Sequence, residues 1–189
     1  EEFRNGIVVP REHVKDYIEE DDCILIGPGM ERNDETQTLT NSLLKKYPTK
    51  QWVIDAGALQ MLDLAGIPKH AILTPHHGEF VTLWQQYQRI NVSVKDVSDE
   101  DKVKLFAKQY QCIVLLKGEK DIVCTGEGCD PSGAKGSHPS VCRVIEGGNA
   151  GMTKGGTGDV LAGLIAALAC KNDPFLATIA GSFINKRAG

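Results

Sequence analysis

Apolar residues recur along the chain in short β-rich runs separated by longer stretches with helical spacing, which predicts strands and helices in alternation. Strands are expected at 23–26, 52–54, 71–73, 112–116, 121–124 and 141–145. The intervening segments carry helix signals. In 34–47, Leu39, Leu43, Leu44 and Tyr47 share one face and Pro48 follows as a stop. A short helix is expected at 58–65, and another from Thr74-Pro75-His76-His77-Gly78-Glu79 through Val81, Leu83, Trp84 and Tyr87. Ser98 precedes a helix at 99–110, Asp159 opens another, and a last one spans 174–186. The run 160–170, broken by Gly163, suits a buried helix and falls short of the about 18 apolar residues of a membrane span.

This alternation implies α/β layers around a largely parallel sheet, with 121–124 and 141–145 as an antiparallel pair joined by the polar loop 126–140. Four of the strands end in glycine-rich or polar turns. In open α/β sheets ligands collect outside those carboxyl ends, so the chemistry-bearing residues should share one rim. A length of 189 residues suits one domain with its own core. A net charge of −4 and a pI near 5.7 give no basic footprint for nucleic acid.

Six cysteines are present, most of them inside expected strands or a helix, and without a secretory signal segment reduced thiols in a cytoplasmic protein are expected. A zinc site from Cys124, Cys129, Cys142 and His138 lacks a C-x-x-C pair, and Asn91-Val92-Ser93 is read as a chance match to the glycosylation pattern.

The most informative stretch is GGNAGMTKGGTGDVLAGLIAALA at 147–169. Gly147, Gly148, Gly155, Gly156 and Gly158 permit positive φ and close approach of a ligand to backbone. Asp159 and the start of the helix then offer a carboxylate, free N–H groups and the positive end of the dipole to whatever the loop holds. An ordinary N-cap explains an Asp but not the repeated glycines before it. Gly27-Pro28-Gly29 after the first strand allows a close approach or merely a tight turn. His76 and His77 can donate to a polar ligand, and Lys117-Gly118 offers an ammonium beside a glycine, suited to phosphate. For Asp55, capping the turn at Gly57 is the favoured reading.

Taken together in order, ILIGPGM (24–30), WVIDAGAL (52–59), ILTPHHGEF (72–80), VLLKGEKDIV (114–123) and GGNAGMTKGGTGDVLAGLIAAL (147–168) resemble the NAD(P)H-hydrate dehydratase family of the ribokinase-like superfamily. The resemblance implies a three-layer α/β/α fold with a mainly parallel sheet and an antiparallel edge pair, of which 1–189 would form a partial domain. It also implies an additional N-terminal βαβ portion and a further C-terminal part, absent from a chain running from Glu1 to Gly189. The implied activity is dehydration of hydrated NADH or NADPH, by phosphorylation of the ring hydroxyl from ADP or ATP with Mg²⁺ and elimination of phosphate. The TPHxGEF form is similar to the ADP-using branch.

By motif, Asp159 is implied as catalytic base and Gly29, His76 and Asp159 as substrate contacts. Lys117, Gly118, Glu119, Lys120 and Asp121 are implied to hold the nucleotide with Gly155, Gly156, Thr157 and Gly158. No dedicated metal ligand is implied. The family further implies a homo-oligomer, fused to or paired with an epimerase. Two alternatives use the same residues: a kinase of a small vitamin precursor, and a nucleotide-binding module without catalysis.

Overall fold

The computed structural model describes residues 6–91, 97–126, 141–149, 152 and 154–189. Among these residues six strands form one sheet in sequential order: β1 (Cys23–Ile26), β2 (Gln51–Ile54), β3 (Ile72–Leu73), β4 (Ile113–Leu116), β5 (Asp121–Thr125) and β6 (Cys142–Ile145). The first four run parallel and the last two antiparallel. The expected mainly parallel sheet with an antiparallel edge is therefore present. Central strands such as β4 are buried along their whole length, which is why IVLL reads as a continuous apolar run rather than an alternating one.

Among the described residues, seven α-helices flank this sheet: α1 (Val14–Ile18), α2 (Asp34–Lys46), α3 (Ala56–Gln60), α4 (His77–Ile90), α5 (Asp99–Tyr110), α6 (Thr157–Ala169) and α7 (Pro174–Ala188). On one face Trp52, Ile54, Leu73, Val114 and Leu116 pack with Leu43 and Leu44 of α2, Phe80 and Leu83 of α4 and Phe106 of α5. On the other, Val53, Ile72, Ile113 and Val123 pack with Leu161 and Ile165 of α6 and Phe175 of α7. Two cores on one sheet make the three α/β/α layers.

Local chemistry sets the helix ends. Asn33, Ser98 and Asp173 accept from backbone N–H groups three residues on, at 2.9, 3.1 and 2.8 Å. The helix expected at 58–65 is instead α3 followed by a 3₁₀ turn at Leu64–Gly66, with Asp63 accepting from Ala65 N–H and interrupting the helix. The short helix α1 had no expected counterpart. α6 buries one face only, because Val160 points outward at 66% exposure.

The reduced-thiol expectation fails at two positions. Antiparallel pairing of β5 with β6 sets Cys124 opposite Cys142, 4.2 Å apart at Cα, and the two form a disulfide. The hairpin was anticipated, but the register that makes these two residues partners was not. The zinc reading loses two of its ligands to this bond, while Cys129 and His138 lie outside the described residues, as do Val92 and Ser93. Cys23, Cys112 and Cys170 are free thiols. No helix among the described residues is long and apolar enough to cross a membrane.

Candidate active site

The carboxyl ends of β1 to β4 form a continuous rim because each exit turn is stitched to the next. Asp55 N–H donates to Ile26 O, Thr74 N–H to Ile54 O, and Lys117 N–H to Pro75 O. At the first turn, Gly27 has φ +121, and a Cβ there would lie 1.7 Å from the Asp55 carbonyl oxygen, so only glycine fits. Gly29 has φ +72 with open space around it and is exposed.

His76 caps α4 through a reciprocal box. Its Nδ1 accepts from Glu79 N–H at 3.2 Å while Glu79 Oε2 accepts from His76 N–H at 2.9 Å. With Nδ1 committed as acceptor, Nε2 is the nitrogen left to donate; it lies 3.6 Å from Glu79 Oε1 on an imidazole 58% exposed at the rim. Glu79 is buried and held further by Gln60 Nε2 at 2.8 Å, so the histidine stands on a fixed base. His77 turns away from this box, with Nδ1 3.7 Å from Asp99 Oδ2.

Asp55 corrects the capping reading. It occupies the N-cap position of α3, yet its side chain makes no cap hydrogen bond. Instead Oδ1 accepts from Lys117 Nζ at 2.9 Å, in a pair whose side chains are 2% and 18% exposed. The ammonium thus held lies against the first turn of α6, since a Cβ on Gly158 would be 3.3 Å from Nζ. A lysine cation and the positive end of a helix dipole would repel one another; Asp55 offsets that repulsion, so an ammonium donor stands beside a helix N-terminus, an arrangement able to take a phosphate oxygen.

Glycine freedom is concentrated where the backbone demands it. Gly147, Gly148 and Gly156 adopt φ of +124, +80 and +93, whereas Gly155 and Gly158 are not among the left-handed residues. Gly156 is the N-cap of α6, and no side chain caps that end. Asp159 is the third residue of the helix; it is exposed, and among the described residues nothing bonds its carboxylate. The N–H groups of Gly158 and Asp159 likewise have no partner among the described residues, while Val160 N–H returns to Gly156 O at 3.0 Å. Thr157 faces inward, its hydroxyl donating to the carbonyls of Met152 and Lys154. The first turn of α6 therefore presents an uncommitted carboxylate and two amides without partners among the described residues, with a half-buried ammonium against Gly158.

The turn after β4 carries Gly118, Glu119 and Lys120 exposed at the rim, with Lys120 Nζ 2.5 Å from Glu146 Oε1. That contact raises the Lys120 pKa and lowers that of Glu146. Asp121 is different. It is buried, and its carboxylate accepts from Gly118 N–H, Ser182 Oγ and Lys186 Nζ at 3.0, 2.8 and 3.2 Å, so it shapes the turn from beneath.

Comparison with known proteins matches residues 6–189 to NAD(P)H-hydrate dehydratase. The chain belongs to this family. It is 35% identical over 170 residues to the bifunctional NAD(P)H-hydrate repair enzyme Nnr of Methanocaldococcus jannaschii, covering 89% of this chain and 28% of that protein. It is 29% identical to the ADP-dependent (S)-NAD(P)H-hydrate dehydratase of Enterococcus faecalis, covering 87% and 52%. The Bacillus subtilis ADP/ATP-dependent NAD(P)H-hydrate dehydratase, co-crystallised with ATP and Mg²⁺, superposes with a TM-score of 0.64 at 26% identity, covering 88% of this chain and 54% of that one. Hydroxyethylthiazole kinase of Pyrococcus horikoshii shares the fold, with a TM-score of 0.67 at 18% identity. The chain thus spans between about a quarter and a little over half of the length of these dehydratases and repair enzymes.

Proposed function

We propose that this chain carries the catalytic part of a nucleotide-dependent NAD(P)H-hydrate dehydratase. The observation that carries the reading is Asp159, an exposed and uncommitted carboxylate in the first turn of α6, the turn whose Gly158 lies against the Lys117 ammonium and whose Gly158 and Asp159 amides have no partner among the described residues. The names of the relatives from Enterococcus faecalis and Bacillus subtilis support the reaction class and the use of ADP or ATP.

In this reading the ring hydroxyl of hydrated NADH or NADPH attacks the terminal phosphorus of the nucleotide and gives its proton to Asp159. The bond from that phosphorus to the rest of the nucleotide breaks. Phosphate, a far better leaving group than hydroxide, then departs from the ring carbon as the ring double bond re-forms with loss of a proton. A positioned carboxylate base is worth roughly 10²- to 10⁴-fold. Charge on the transferred phosphoryl oxygens is stabilised by the α6 amides, fixed before reaction by the Gly156 turn, and by Lys117 held on Asp55.

The rim at Gly29 and the Nε2–H of His76 orient the hydrated nicotinamide, and the turn Lys117 to Lys120 with Gly155, Gly156 and Thr157 borders the nucleotide. Among the described residues no group of three or more His, Cys, Asp or Glu is placed to hold a metal. Mg²⁺ arriving with the nucleotide would supply charge neutralisation on its phosphates. The relative named a bifunctional NAD(P)H-hydrate repair enzyme supports a second activity fused to or paired with this one, which in this reading is an epimerase.

The test is to incubate the protein with hydrated NADH, Mg²⁺ and either ADP or ATP. Return of dihydronicotinamide absorbance with release of inorganic phosphate is the expected result. A stable phosphate ester would indicate a kinase, and nucleotide binding without turnover a non-catalytic module.

A further inference from the structure

A lysine with its ammonium in the protein interior is costly unless every proton finds an acceptor. Lys186, on α7, is 6% exposed and meets that condition. Its Nζ donates to Gly118 O and Glu119 O, both at 2.9 Å, and lies 3.2 Å from Asp121 Oδ1. Asp121 in turn is locked by Gly118 N–H and Ser182 Oγ. The cation thus grips the turn after β4 from below through two carbonyls and the carboxylate that closes it.

The stem of the same side chain supports a second loop. Cβ atoms placed on Gly147 and Gly148 would lie 3.6 Å from Lys186 Cβ and 3.7 Å from Lys186 Cγ, at ordinary van der Waals contact. Both glycines have positive φ, and the glycine-rich approach passes beside the lysine stem at a distance that an added methyl group would fill. A cavity of about 410 Å³ bordered by Gly147, Gly148, Asn149 and Lys186 opens there. Were packing the only requirement, an apolar side chain would serve without the desolvation cost.

We infer that Lys186 is a positioning residue that holds the Lys117 to Lys120 turn and the Gly147-Gly148 loop in register for the nucleotide. This rests on the proposed function, which sets the Lys117 to Lys120 turn against the nucleotide; the Gly147-Gly148 loop leads in sequence to Gly155 and Gly156, which border it. Lys186 touches no reacting atom; it acts by keeping both loops in the binding-competent arrangement, and apparent affinity falls in proportion to the competent fraction.

The test uses Lys186→Met, which keeps the stem and removes the donors, and Lys186→Met/Asp121→Asn, which also removes the orphaned carboxylate so that the fold is retained. Nucleotide affinity is read by calorimetry, turnover at saturating nucleotide by absorbance, and loop order by hydrogen exchange. The expected result for the folded double variant is a Kd and KM for nucleotide raised about tenfold, as for a competent fraction near one-tenth. Its kcat should change little, with faster exchange confined to the two loops. Unchanged affinity and unchanged exchange in a folded variant would overturn the role of Lys186. Failure of the unaltered protein to bind ADP or ATP at all would instead overturn the functional reading beneath it.

Discussion

The Asp55–Lys117 pair permits a worked prediction because its two members are unequally buried, at 2% and 18% side-chain exposure. At 2.9 Å and an effective dielectric near 20 the two charges attract by about 6 kcal/mol, most of it offset by desolvation. Removing one partner costs more than the pair is worth, because a charge is left buried alone, typically about 3–5 kcal/mol. Asp55→Asn leaves an ammonium still partly hydrated and still facing an amide oxygen, so its cost should fall below that range, at about 2 kcal/mol. Lys117→Met strands the more deeply buried carboxylate and should cost about 4 kcal/mol.

The double variant should recover much of the sum, giving a coupling of about 2 kcal/mol or more in a double-mutant cycle. Urea unfolding at neutral pH, with the slope m unchanged between variants, measures all three. Equal costs for the single variants, or strict additivity in the double, would refute the claim that the pair is buried and exclusive. Both single variants should also lose nucleotide affinity, since each disturbs the ammonium at the start of α6.

Gly156→Ala should destabilise by about 1–2 kcal/mol through its left-handed backbone alone, since nothing lies within 4 Å of the added Cβ, while Gly155→Ala, which has the same open space and an ordinary φ, should cost well under 1 kcal/mol; thermal unfolding of the pair checks this. Cys142→Ser in the oxidised protein removes a crosslink between residues 18 apart and should cost about 2–4 kcal/mol, an effect that a reductant reproduces in the unaltered chain but not in the variant. Burial pushes the Cys23 thiol up from 9.0 to about 12 and the Cys112 thiol up as well. A raised folded-state pKa gives stability that is complete below the unfolded value and lost as pH climbs towards the folded one, so urea midpoints should fall between about pH 9 and 12 and Cys112→Ala should flatten that fall.

Those elements that announce themselves locally were legible from the residues. The helix expected at 99–110 forms at Asp99–Tyr110 because Ser98 supplies a cap and the apolar spacing is regular. β4 follows from a continuous apolar run, and the antiparallel edge from two such runs about a polar loop. The rim was legible too, since strand ends in a parallel sheet must come out on one side.

What stayed hidden depends on partners distant in sequence. Asp55 looks like a cap until β2 and β4 place Lys117 beside it across 62 residues. Lys186 reads as an ordinary charge at a helix end, the usual place for one, until α7 docks it under the turn after β4. The Cys124–Cys142 bond needs the strand register, and composition argued for free thiols. The glycines of 147–158 look alike in the sequence, and only backbone geometry separates Gly147, Gly148 and Gly156 from Gly155 and Gly158.

The proposed reaction turns on Asp159. Its side chain is exposed and uncommitted, so Asp159→Asn should leave thermal stability and nucleotide affinity essentially unchanged. The direct measurement is the recovery of absorbance at 340 nm from hydrated NADH with ADP or ATP and Mg²⁺, comparing the unaltered protein with Asp159→Asn. A loss of roughly 10²- to 10⁴-fold in kcat is predicted. Turnover by the variant within a few-fold of the unaltered protein would contradict it.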